Sequence, residues 1–185
     1  MKVVKAGSIA LNPVPVVLVS CGLEKPNLIT LAWVGVACSQ PPVITIAVRP
    51  ERWSHTLILE AGEFVVNLPR VDQFKAVDYC GHVSGRDVDK WAACGFTPAP
   101  AKKIRTPLVA ECPVAMECRT LQRLPLGTHD LFVAEVLAVQ ADEAVLDDRG
   151  VVDYERAELI AYANAQYYRL GERLGQFGDG RGGIG

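Results

Sequence analysis

The sequence has no Cys-x-x-Cys pair, no excess of basic residues, and no apolar run near the roughly 20 residues needed to cross a bilayer. Each absence removes a class of function. Without paired cysteines, the six at Cys21, Cys38, Cys80, Cys94, Cys112 and Cys118 have no zinc or iron–sulfur spacing. Several sit inside apolar runs, where a thiol behaves as a small buried hydrophobe. A formal net charge of −2 gives no electrostatic footprint for nucleic acid, and the short Lys102-Lys103-Ile104-Arg105 cluster reads as a solvated loop. Met1-Lys2-Val3-Val4-Lys5 has charge on both sides of a two-residue apolar step, unlike a signal peptide. A cytoplasmic chain is expected.

Familiar catalytic machines are missing too. No Gly-x-Gly-x-x-Gly follows a strand; Gly178 and Gly180 lie near the chain end with no helix after them. A P-loop, a His-Glu-x-x-His helix and a Gly-x-Ser-x-Gly elbow are also absent.

What remains is strand after strand. Val16 to Ser20 and Asn27 to Val36, joined by a Lys25-Pro26-Asn27 turn, read as a hairpin. Val43 to Val48 follows Pro41-Pro42, and Phe64 to Leu68 ends at Pro69. Leu108 to Glu111, Ala115 to Leu124 and Leu131 to Gln140 are further candidates. Between strands, Trp53 to Glu60 loses alternation; Ser54 or Thr56 is placed to cap a short helix that Gly62 closes. Val71 to Tyr79 suits an amphipathic helix, and Asp87 to Ala93 a helical turn. Ile160 to Leu174 reads as strand, then short helix. The pattern does not alternate as βαβ units do, so a mainly β barrel with short helical decorations is expected. One domain over 1–175 and a flexible Gly-rich tail over 176–185 complete the reading.

Two stretches carry chemistry. Arg49 and Arg52 leave a strand end just before the hydroxyl-rich helix start Ser54-His55-Thr56. Unpaired helix N–H groups and guanidinium forks bind phosphate. A plain helix cap with two surface arginines fits the same residues, and the sequence alone does not choose. Asn27, Leu28, Ile29, Thr30 and Trp33 can line a flat aromatic ligand, or simply pack a core. His129, beside Asp130 in a turn, can offer a proton or hydrogen bond near neutral pH, or sit as an ordinary surface residue.

Taken in order, several motifs resemble the flavin reductase-like FMN-binding family. Pro13-x-Pro15-x-Val17-x-Val19, Asn27 to Trp33 and Gly62-Glu63-Phe64-Val65-Val66-Asn67-Leu68-Pro69 look like its strand signatures. Ser84-Gly85-Arg86-x-x-Asp89-Lys90-Trp91 resembles its Ser-Gly…Asp-Lys-Phe loop, with Trp91 in place of Phe. Glu111-Cys112-Pro113, Gly127-x-His129-x-x-Phe132 and Tyr167-Tyr168-x-Leu170-Gly171 continue the match, the last resembling the flavoredoxin-like branch. The resemblance implies a six-stranded split barrel that dimerises and holds FMN near the subunit interface. It implies that Arg49, Arg52, Ser54, His55 and Thr56 form the phosphate site and Asn27 to Trp33 the isoalloxazine wall. Ser84 and Lys90 become further ligands, and His129 and Tyr167 lie near the ring. NAD(P)H is the expected electron donor of a flavin reductase; a redox partner protein is the donor if the chain is a pure electron carrier. A cysteine-based metal-binding or redox-sensing protein is a third reading, which the cysteine spacing opposes.

Overall fold

The computed structural model describes residues 1–182. The chain runs β1 (Val14–Pro15), β2 (Val17–Cys21), β3 (Asn27–Leu31), β4 (Val34–Ser39), β5 (Pro42–Val48), α1 (Trp53–Ala61), β6 (Glu63–Leu68), α2 (Phe74–His82) and α3 (Lys90–Cys94). It continues with β7 (Pro98–Ala99), β8 (Leu108–Val109), β9 (Val114–Pro125), β10 (Asp130–Ala141), α4 (Tyr154–Ala157), β11 (Ile160–Ala163) and β12 (Gln166–Arg169).

The main sheet is antiparallel, with strand order β3-β2-β6-β9-β10-β5-β4. Its first and last strands are β3 and β4, yet only Ala32 and Trp33 separate them in the chain. A sheet whose two edges are so tethered must curl until they meet. At the bend between them, Ala47 N–H of β5 donates to the Trp33 carbonyl at 2.9 Å, carrying the β4–β5 pairing up to the corner. The result is a split barrel. β3 and β4 are two arms of one bent strand, which reconciles seven hydrogen-bonded segments with the six expected.

Alternation builds its interior. Val17, Val19 and Cys21 point inward with Ile44, Ile46, Val48, Phe64, Val66, Phe132 and Ala134. Phe64 and Phe132 are fully buried, each stabilising the fold by about 1.5–3 kcal/mol relative to exposure. Ile58 brings α1 into the same cluster. The opposite face of β2 and β3, through Leu18 and Leu28, packs under α2 and α3 against Val77, Cys80 and Trp91.

Some expectations are corrected. The Asn27 to Val36 run breaks at Ala32, because its halves belong to opposite edges of the sheet. Helix α1 has Arg52 as its N-cap with no side-chain cap bond. Ser54 instead accepts from Asn27 Nδ2 at 2.9 Å, and Thr56 is exposed. Gly62 does close the helix, in the left-handed conformation glycine permits (φ 68°). Strand β8 is shorter than expected, two residues paired with β7. Residues Ile160 to Arg169 form a hairpin, turned at Asn164 and Ala165 (φ 49° and 62°), and no helix follows it as far as Leu174. The loop around Lys102 is pinned rather than merely solvated: the Lys102 and Lys103 N–H groups donate to the buried Glu117 carboxylate at 2.6–3.0 Å. Of the Gly-rich end, Asp179–Gly182 forms a 3-10 turn. Residues 183–185 lie outside the described residues.

Candidate functional site

Three segments converge at one mouth of the barrel. Strand β3 supplies Asn27 and Ile29, the exit of β5 supplies Arg49 to Ser54, and the α2–α3 connection supplies His82 to Arg86 with Lys90. They enclose a cavity of about 420 Å³. A second cavity, of about 200 Å³, is lined by Ile29 to Trp33, Ala47, His129 and Tyr162. Ile29, Arg49 and Arg52 border both, so the two form one groove with a cationic end and an aromatic end.

The cationic end holds Arg49, Arg52 and Arg86 beside Ser84. Arg49 is half exposed and pairs with Glu51 at 3.3 Å. Because Arg52 cannot cap α1, the Trp53 and Ser54 N–H groups begin the helix without a side-chain acceptor. Gly85 is buried against Asn27 and Trp53. Lys90 borders the cavity, but its buried ammonium donates to the Leu28 carbonyl at 2.7 Å and the Cys80 carbonyl at 2.9 Å. Burial pulls its pKa below the usual 10.5, with the Arg52 charge adding to that effect.

At the aromatic end, the Trp33 and His129 rings stand 4.3 Å apart at a tilt of 49°. Burial and the Arg49 charge lower His129 from its usual 6.5, against a smaller opposing effect of Glu51. Tyr162 is braced by Tyr167, ring centroids 5.6 Å apart and edge-on. Tyr167 in turn donates to Asp78 Oδ1 at 2.9 Å.

The groove therefore gathers Asn27, Ile29, Thr30, Trp33, Arg49, Arg52, Ser54, Ser84, Lys90 and His129 from the residues singled out in the sequence. Four others fall outside its lining. Leu28 turns its side chain to the opposite core. His55 is buried, with Nε2 2.7 Å from Asp130 Oδ2. Thr56 faces solvent, and Tyr167 stands behind Tyr162. Sequence reading missed Trp53, Arg86 and Tyr162, and left Gly85 without a role. Gly85 and Arg86 did stand in the Ser84 motif; Tyr162 had no local signal.

A split barrel with such a groove at its mouth defines a class suited to an elongated ligand, anionic at one end and flat at the other. Residues 9–171 match the family described as Flavin reductase like domain, and the chain belongs to that family. Flavoredoxin of Desulfovibrio vulgaris (Miyazaki F) has a similar structure, with a TM-score of 0.91 and 32% identity, covering 97% of this chain and 100% of that one. The FMN-binding protein of Thermus thermophilus is similar with a TM-score of 0.82 and 25% identity, over 95% and 99% of the two chains. An uncharacterized protein of Archaeoglobus fulgidus is 34% identical over 145 residues, 78% of this chain and 82% of its own.

Proposed function

We propose that the protein is an FMN-dependent oxidoreductase that accepts hydride from NAD(P)H and passes electrons to flavin or another small acceptor. The observation that carries this is the groove itself, whose cationic end opens directly onto its aromatic end. The residues fit the cofactor. Arg49, Arg52, Ser84 and the uncapped start of α1 offer charge-assisted donors to a phosphate. The close passage of Gly85 past Asn27 leaves backbone where a side chain would fill the space. Ile29 to Ala32 would present strand backbone to a bound ring, and Trp33, His129 and Tyr162 would wall it.

When bound, FMN supplies hydride and single-electron chemistry, while the chain supplies position and field. Arg49 and Arg52 would hold the anionic tail. His129, with its lowered pKa, stands neutral at pH 7 and offers an imidazole hydrogen bond rather than a fixed charge. The cavity lined by Ile29 to Trp33, His129 and Tyr162 would leave room for a nicotinamide donor to dock transiently.

A second reading is an electron carrier fed by a protein partner, favoured by the likeness to a flavoredoxin at 32% identity. Strand β4 also exposes all of its residues but Val34, including Val36 at 84%. An edge this open suits a second copy of the chain, as in a homodimer. Six free thiols suit the reducing cytoplasm.

The deciding experiment is the absorption spectrum of the FMN-loaded protein, recorded anaerobically before and after NADH or NADPH. Bleaching of the flavin bands at a catalytic rate supports the reductase. Bands that persist with nicotinamide but bleach with a reduced protein partner support the carrier. Failure to retain or quench added FMN overturns both.

A further inference from the structure

The α2–α3 connection that lines the cationic cavity is framed by two cysteines. Cys80 lies in the last turn of α2, and Cys94 ends α3. Their sulfurs are 3.6 Å apart. Between them run His82, Val83, Ser84, Gly85, Arg86 and Lys90, all bordering the cavity. Cys94 is half-buried and Cys80 fully buried.

We infer that Cys94 is a site of S-thiolation by small disulfides, and that Cys80 resolves the adduct into a Cys80–Cys94 disulfide clasping the cavity loop. The geometry supports each step. A disulfide needs its sulfurs about 2.05 Å apart. The Cys80 and Cys94 sulfurs, already in contact at 3.6 Å, need only a short further approach. The partly exposed Cys94 meets the reagent first. Burial and the neighbouring Cys94 sulfur push the Cys80 thiol well above the ordinary range, so Cys80 is the poorer first nucleophile and attacks only once an adduct sits in contact with it.

The chemistry balances with oxidised glutathione as the oxidant. The Cys94 thiolate attacks one glutathione sulfur; the S–S bond breaks and one reduced glutathione leaves. Cys80 attacks the Cys94 sulfur, its proton passing to the departing glutathione thiolate, and the second glutathione leaves. The protein dithiol gives up two electrons and two protons, and the small disulfide becomes two thiols.

The clasp joins both ends of the loop, which Lys90 already ties to the Cys80 carbonyl. In the oxidised protein the loop opens less readily, so FMN leaves several-fold more slowly. That consequence rests on the FMN reading; the thiol chemistry does not.

The test is to incubate reduced, flavin-free protein with oxidised glutathione, block remaining thiols with N-ethylmaleimide, and map the peptides. The expected result is a Cys80–Cys94 linked peptide and the loss of two free thiols. C80S is expected to accumulate the glutathione adduct on Cys94, and C94S to lose no thiol at this pair. Unreacted Cys94, a linkage to another cysteine, or an adduct that wild-type protein never resolves would overturn the inference. FMN release is then timed from the oxidised and reduced forms. An unchanged rate would overturn the clasp, whereas a protein that forms the disulfide but holds no FMN would refute only the flavin reading.

Discussion

Gly85 passes the Asn27 side chain so closely that a methyl group built on it would stand 2.0 Å from Asn27 Oδ1 and 2.9 Å from Trp53 Cε3. Neither neighbour is free to yield. Asn27 is buried and donates to Ser54, and Trp53 opens α1. Replacing Gly85 with alanine must therefore push the loop outward or drive Asn27 off Ser54. We expect Gly85→Ala to weaken FMN binding at least tenfold and to cost about 1–3 kcal/mol of stability, as overpacking does. Fluorescence titration with FMN and urea unfolding read the two effects. Wild-type affinity in this variant would remove Gly85 from the site.

Arg49 and Glu51 make a matched pair of opposite predictions. Arg49 is 50% exposed and its ion pair lies at the surface, where such pairs contribute little to folding. A charge-assisted phosphate contact is worth about 1.5–3 kcal/mol. Arg49→Ala should weaken FMN binding roughly 10- to 100-fold, by that same figure, while leaving the unfolding midpoint nearly unchanged. Glu51→Gln releases Arg49 and removes a negative charge from the cavity lining, so it should tighten binding a few-fold, most clearly at low salt. Equal affinities for all three proteins would place the phosphate elsewhere.

Much of this arrangement was legible in the sequence, and the losses have physical reasons. β-branched runs marked β2, β5 and β6, and Gly62 marked the end of α1, because those signals are local. The break at Ala32 has no local mark; it follows from which edges β3 and β4 join. Ser54 looks like a helix cap until Asn27, 27 positions away, takes its hydroxyl. His55 looks like a phosphate donor until Asp130, 75 positions on, claims its ring. Asn164-Ala165 turns β11 into β12 without the glycine that usually announces such a turn. Tyr162 enters the ring cavity only because that hairpin folds back along β1.

The imidazole of His129 should titrate below 6.5. Burial is the largest cause, and the Arg49 charge the second. In the window between the folded value and 6.5 the unfolded chain binds more protons. Stability is then fully present above 6.5 and falls as pH drops through that window. Proton NMR of the imidazole in apo-protein reads the midpoint directly. Arg49→Ala should raise it, and Glu51→Gln should lower it further. A midpoint at or above 6.5 in the wild type would contradict the geometry.

Lys90 separates a residue that holds the site's frame from one that holds the ligand. It is 4% exposed, and its nitrogen serves the Leu28 and Cys80 carbonyls, joining β3 to the end of α2. A neutral amine still carries two N–H groups, enough for both carbonyls. Its folded pKa lies below 10.5, chiefly through burial. As pH climbs from that folded value towards 10.5, the unfolded chain binds the extra proton, so this group makes stability rise with pH. Lys90→Met leaves two buried carbonyls unpaired and should cost about 2–4 kcal/mol, even in flavin-free protein, and should abolish that rise. Urea unfolding of apo-protein from neutral pH towards 10.5 tests both. A variant with wild-type stability that had lost only FMN affinity would make Lys90 a ligand of the cofactor instead of a strut behind it.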